Sequence, residues 1–118
     1  MPSDANKYEA NVVTPITIVL EIGQTQTEAI NIYGTTIVGL IVPTGMDNTE
    51  ISFSVSVDGV NFYELRDENN TVIGVIIDDS TAAYSIDPPN LYPWRFVKLV
   101  VDLAESEDKT FTVSLGAI

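Results

Sequence analysis

The chain contains neither cysteine nor histidine. Without cysteine there are no disulfides, no thiolate metal centres and no thiol nucleophile. Without histidine, the commonest general base and the commonest transition-metal ligand are gone. Basic residues are scarce too: Lys7, Arg66, Arg95, Lys98 and Lys109 stand against seventeen Asp and Glu, a formal charge of −12. A phosphate backbone is gripped by clustered Lys and Arg, and these five are scattered, so nucleic acid is excluded as a direct partner. Anionic membrane surfaces are disfavoured for the same reason, and no apolar run reaches the length of a membrane span. The opening segment, MPSDANKYEA, has neither the basic nor the apolar region of a signal peptide. Synthesis in a cytosol is expected, with release, if any, by another route such as lysis.

What is present is a hydrophobic fraction of 45% in 118 residues. That is one domain with a real core, burying roughly two-thirds of the unfolded chain's surface, and it excludes intrinsic disorder despite the charge. The acidic excess reads as a soluble exterior that repels copies of itself. Binding is therefore expected through apolar or locally basic contacts.

The apolar period is two almost throughout. ITIVLEIG closes on Gly23, and EAINIYG sets Ile30 and Ile32 against Ala29, Asn31 and Tyr33. TTIVGLIVP is a near-continuous apolar run, expected to be a central strand buried on both faces and ended by Pro43. In TEISFSVSVDG, Ile51, Phe53, Val55 and Val57 alternate with Ser52, Ser54 and Ser56. NFYELRD, TVIGVIID, AAYSIDP, RFVKLVVDL and TFTVSLGAI complete the set. No window of helical length shows helical spacing. Eight or nine short strands with Gly, Pro, Asn and Asp between them predict an all-β, antiparallel β-sandwich of jelly-roll type spanning 16–118. An immunoglobulin-like sandwich is second, weakened by the missing Cys–Trp–Cys pattern. Residues 1–15 are polar and aperiodic and end at Pro15; they read as an extended N-terminal arm. Tyr8, Val12 and Val13 are its candidate anchors on a neighbouring subunit.

Candidate chemistry is sparse. Asp58-Gly59 matches a two-residue hairpin turn, the other reading being a turn that presents Asp58 to a metal or sugar. RDENN (Arg66 to Asn70), with Asp47, Asp78 and Asp79, offers oxygen ligands for Ca²⁺ without the spacing of a calcium loop, so no metal or other cofactor is expected. Adjacent Asp78 and Asp79 would face opposite ways on a strand end, and no catalytic residues are assigned. GTTIVGL has Leu40 where a phosphate loop needs lysine. Asn69-Asn70-Thr71 fits a glycosylation acceptor only in a secreted chain. DPPNLYPWRF is a stiff loop in which Tyr92 and Trp94 either cap the core or form an exposed aromatic patch for a protein or carbohydrate.

From Ile37 onward, the order IVGLIVPTGM, ISFSVSVDGVNFYELRDENNTV, AAYSIDPPNLYPWRFVKLVV and KTFTVSLGAI resembles a family of small tailed-phage virion proteins. The likeness covers about 80 residues and centres on S-x-D-G-x-x-F-Y-x-L, Ser56 to Leu65. The acidic DLAESEDKT departs from it, since a longer, more neutral loop is expected there. The resemblance implies a protein made in the host cytoplasm that decorates or cements the capsid exterior, with the major capsid protein as partner, or a part of a head spike or tail. It implies no catalytic or ligand residues. Closed symmetry makes a homotrimer the expected assembly. The reading from another class is a carbohydrate-binding module for host attachment, with Tyr92 and Trp94 exposed side by side beside polar groups.

Overall fold

The computed structural model describes residues 13–78 and 81–117. Among them are nine strands and one helical turn: β1 (Thr14–Leu20), β2 (Ile30–Asn31), β3 (Thr35–Val42), β4 (Glu50–Ser56), β5 (Tyr63–Glu64), β6 (Gly74–Ile76), β7 (Ala82–Ser85), α1 (Pro88–Leu91), β8 (Phe96–Val100) and β9 (Lys109–Ala117). One sheet has the order β1-β9-β3-β7; the other has β2-β8-β4-β5, with β6 also pairing β4. Every pairing is antiparallel. Apart from the β4 to β6 run, each strand lies in the opposite sheet from the one before it. That wrapping is the jelly-roll order the sequence predicts.

The core follows from the two-residue period. In β4, Ile51, Phe53 and Val55 are buried, and across the ladder Phe53 faces Leu99 and Val55 faces Val97. The other sheet answers with Leu20, Leu40, Val42, Phe111 and Val113, where Leu40 stands opposite Val113. Each such side chain contributes about 1.5–3 kcal/mol by leaving water.

Four details differ from the sequence expectation. First, β3 is central, between β9 and β7, but is not buried on both faces: Ile41 is exposed. Its apolar run is continuous because the register slips between Ile37 and Gly39. The extra residue resets the alternation, so Ile37, Leu40 and Val42 are all buried. Second, Val57 leaves the alternation of β4 and is exposed, because β4 ends at Ser56. Third, β1 begins at Thr14, with Pro15 opposite Ser114, so residues 14 and 15 belong to the sandwich and not to the arm. Proline is tolerated there because β1 is an edge strand. Fourth, the proline-rich loop contains the helical turn α1.

Candidate functional site

Three segments meet at one end of the sandwich. The Ile32 amide donates to the Arg95 carbonyl at 2.8 Å, and the Arg95 amide donates to the Ser56 carbonyl at 3.1 Å. These bonds tie the exit of β2, the end of β4 and the approach to β8 into one rigid corner. The turn carrying Tyr33 is held from both sides. Its amide donates to Asn31 Oδ1 at 3.0 Å, and the Thr35 amide and hydroxyl both donate to the Ile32 carbonyl at 2.8 Å. Gly34 sits at φ +80°, a left-handed corner that glycine enters without strain.

The corner presents an open aromatic ledge, a hollow of about 550 Å³ bordered by Tyr33, Val57, Tyr92, Trp94 and Arg95. Tyr33 is 74% exposed and Tyr92 53% exposed. Trp94 is half-buried and packs on the core, so the two aromatic residues of the proline-rich loop divide the roles: Trp94 supports and Tyr92 projects. The Arg95 guanidinium lies 4.7 Å from the Tyr33 ring centre and 5.6 Å from that of Phe96, a cation–π arrangement that orders the ledge. The chain also enters β1 here, since Val13 precedes Thr14, which pairs Leu115, while Thr35 pairs Ala117. Val13 is exposed. Tyr8 and Val12, the other expected arm anchors, lie outside the described residues.

Beside the ledge, Asp58 organises residues 56–62. This is not the two-residue hairpin expected from Asp58-Gly59: Val55 pairs Tyr63, and the connection between them is a wide loop. Asp58 Oδ1 accepts from the Val60 amide at 2.8 Å, the Asn61 amide at 2.9 Å and the Ser56 hydroxyl at 2.9 Å; Oδ2 accepts from Asn61 Nδ2 at 3.0 Å. The bonds from the Asn61 and Val60 amides, then those from the Asn61 and Ser56 side chains, hold its carboxyl well below the ordinary carboxylate range. Ser56 Oγ in turn accepts from the Asp58 and Gly59 amides. A carboxylate so engaged is a loop organiser.

Two other acidic candidates, Asp67 and Asp47, are also bonded within the chain. Asp67 Oδ1 accepts from the Asn69 and Thr71 amides, closing the RDENN turn. Asp47 accepts from the Ser106 amide at 2.9 Å, and bonding from Ser106, with a smaller contribution from the Lys109 charge, lowers its pKa. Among the described residues no three carboxylates cluster as metal ligands; Asp79 lies outside them. Sequence reasoning reached Tyr92 and Trp94 but missed Tyr33 and Arg95. The available signals were the outward phase of Tyr33 in EAINIYG and the placement of Arg95 directly after Trp94.

No protein-family model matches the chain, and no curated protein matches it in sequence. In three-dimensional structure the chain is similar to the SPBc2 prophage-derived protein YomS, whose crystal structure matches with a TM-score of 0.50 and 10% identity, over 90% of this chain and 97% of that one. The two proteins share a fold. The likeness to YomS spans nearly the full length of both chains, so the whole sandwich is the common unit. At 10% identity it transfers no residue roles.

Proposed function

We propose that the protein is a structural component of a tailed-phage virion, binding the outer surface of the capsid shell as a small oligomer, a homotrimer in the simplest closed arrangement. The observation that carries this reading is the edge strand β1. From Thr14 to Leu20 it has no charged residue, in a chain with seventeen acidic and five basic ones. Among the described residues its outer edge is unpaired. Natural edges are guarded by charge, bulges or proline because an open edge accepts another strand. Here Pro15 guards one end, and the rest is open to a neighbouring chain by strand addition. The fold shared with a prophage-derived protein agrees with a phage origin, and the acidic surface keeps such a module soluble before assembly.

The test compares virions of the phage that encodes the chain, purified with and without the gene, by cryo-electron microscopy. Density for a jelly-roll oligomer on the shell, lost without the gene and restored by adding purified protein, is the expected result. Thr17→Lys with Val19→Lys, which charges the outer face of β1, should abolish restoration while leaving the monomer folded. Identical particles with and without the gene overturn the capsid reading; full restoration by the charged variant overturns the role of β1.

A further inference from the structure

Separately from β1, we propose that the Tyr33–Tyr92–Trp94–Arg95 ledge is a binding site for an acidic saccharide, a sugar ring bearing a carboxylate.

Charge is the first argument. The ion pairs among the described residues are Arg66–Glu64 and Lys109–Glu107. Arg95 makes neither an ion pair nor a side-chain hydrogen bond to any described residue, although the chain carries seventeen carboxylates. Its guanidinium is held by aromatic faces instead. None of the residues bordering the hollow is acidic. A planar guanidinium held this way keeps its donor fork free for a carboxylate, which it binds with two parallel hydrogen bonds. In a protein of net charge −12, an uncommitted cation in an apolar hollow selects a complementary anion.

The second argument is the form of the hollow. Tyr33 and Tyr92 project flat, amphipathic rings, and Trp94 supplies an indole N–H with no hydrogen-bond partner among the described residues. Among the described residues no buried side-chain nitrogen or oxygen lacks a partner, so this half-buried indole N–H opens to solvent. A sugar ring matches such a set. Its C–H face packs on an aromatic plane, its hydroxyls accept from the indole, and its carboxylate accepts from Arg95. Ligand sites commonly take this form, a mainly apolar concavity with a few placed polar groups. The backbone bonds joining Ile32, Arg95 and Ser56 fix the ledge before a ligand arrives, so little ordering opposes binding. An acidic peptide would take up the cation but leave the paired aromatic faces unused, and it has an open strand edge elsewhere on the molecule.

The experiment is a glycan array holding uronic-acid and nonulosonic-acid oligosaccharides beside their neutral parents, followed by NMR titration with tetragalacturonate, its methyl ester and a glutamate-rich peptide. The expected result is retention of acidic glycans over neutral parents, with shifts confined to Tyr33, Tyr92, Trp94 and Arg95. The methyl ester should bind roughly tenfold more weakly, the loss expected for a charge-assisted hydrogen-bond pair. Arg95→Gln should erase the difference between acid and ester, and Tyr92→Ala should weaken both. Trp94→Phe, which keeps a ring in the core, should weaken sugar binding with the melting temperature monitored alongside. Equal binding of acid and ester, peptide binding at the same residues, or no acidic glycan retained on the array would each overturn the proposal.

Discussion

Asn48 and Glu105 fasten two loops of the sandwich together across 57 positions of sequence. The Asn48 side-chain amide donates to Glu105 Oε2 at 2.6 Å, and the Asn48 backbone amide donates to the same oxygen at 3.0 Å. The Asp47 amide donates to both carboxylate oxygens, at 2.8 and 3.1 Å. Asn48 then closes the ring by donating to the Leu103 carbonyl and accepting from the Leu103 amide. Glu105 is 2% exposed, and the donors around it replace the water it has lost. The acidic DLAESEDKT loop is thus a clasp whose central carboxylate points inward.

Removing that carboxylate strands three donors. Glu105→Ala is expected to cost about 3 kcal/mol, since each buried donor left unsatisfied costs about 1–3 kcal/mol and loop water recovers part. Glu105→Gln should cost less, because one oxygen still accepts. Asn48→Ala and the double variant complete a cycle. Shared partners make the two losses strongly non-additive, which urea unfolding would measure. Additive losses would show that the two side chains act independently.

Asp58 predicts a pH dependence. Its folded pKa is depressed below the ordinary 3.8 by amide and side-chain hydrogen bonds. A depressed pKa means the contribution is fully present above the unfolded value and is lost as pH falls toward the folded one. Melting temperature should therefore decline on acidification below about pH 4, and Asp58→Asn should flatten that slope while lowering stability at neutral pH. Hydrogen exchange at Val60 and Asn61 should quicken in the variant. An unchanged acid slope would remove Asp58 from the account.

Much of the fold was legible because burial imposes a two-residue period that punctuation residues interrupt. Ile30, Ile32, Val97, Leu99, Phe111 and Val113 are all buried as that period requires. The departures arise where another force acts. The β3 run hides a bulge, because a slipped register still buries apolar residues and leaves no compositional mark. Asp58-Gly59 resembles a tight turn, but Ser56 and Asn61, both hydrogen-bonded to Asp58, stabilise a wider loop. The ledge was half legible: Tyr92 and Trp94 stood together in the sequence, while Tyr33 joins them only through the fold. Glu105 was not legible at all, since a buried carboxylate in an acidic run looks like its solvated neighbours.

The break in the β4 alternation gives a paired test. Phe53 is 1% exposed and Val57 64% exposed, although the sequence puts both on one face. Phe53→Ala should cost about 3–5 kcal/mol by leaving a cavity. Val57→Ala should change stability by less than about 0.5 kcal/mol. Comparable losses at both positions, measured by urea unfolding, would contradict the end of β4 at Ser56.

Two glycines, Gly74 in β6 and Gly59 in the loop between β4 and β5, should fail for different reasons. A Cβ on Gly74 would lie 2.7 Å from the Ile51 carbonyl oxygen, inside the β6–β4 ladder. Backbone cannot yield there without parting the strands, so Gly74→Ala should detach β6 and expose the amides of Ile51 and Val75 to rapid exchange. Gly59 has φ +79°, and its Cβ would meet the Phe96 ring at 3.1 Å. That ring can tilt, so the backbone strain dominates, about 1 kcal/mol for a non-glycine residue in the left-handed region. Gly59→Asn, a residue that tolerates this region, should recover part of the loss, whereas Gly74→Asn should be as damaging as Gly74→Ala. Equal rescue by asparagine at both sites would mean that backbone conformation, not the close approach of β6 to β4, explains the glycine at 74.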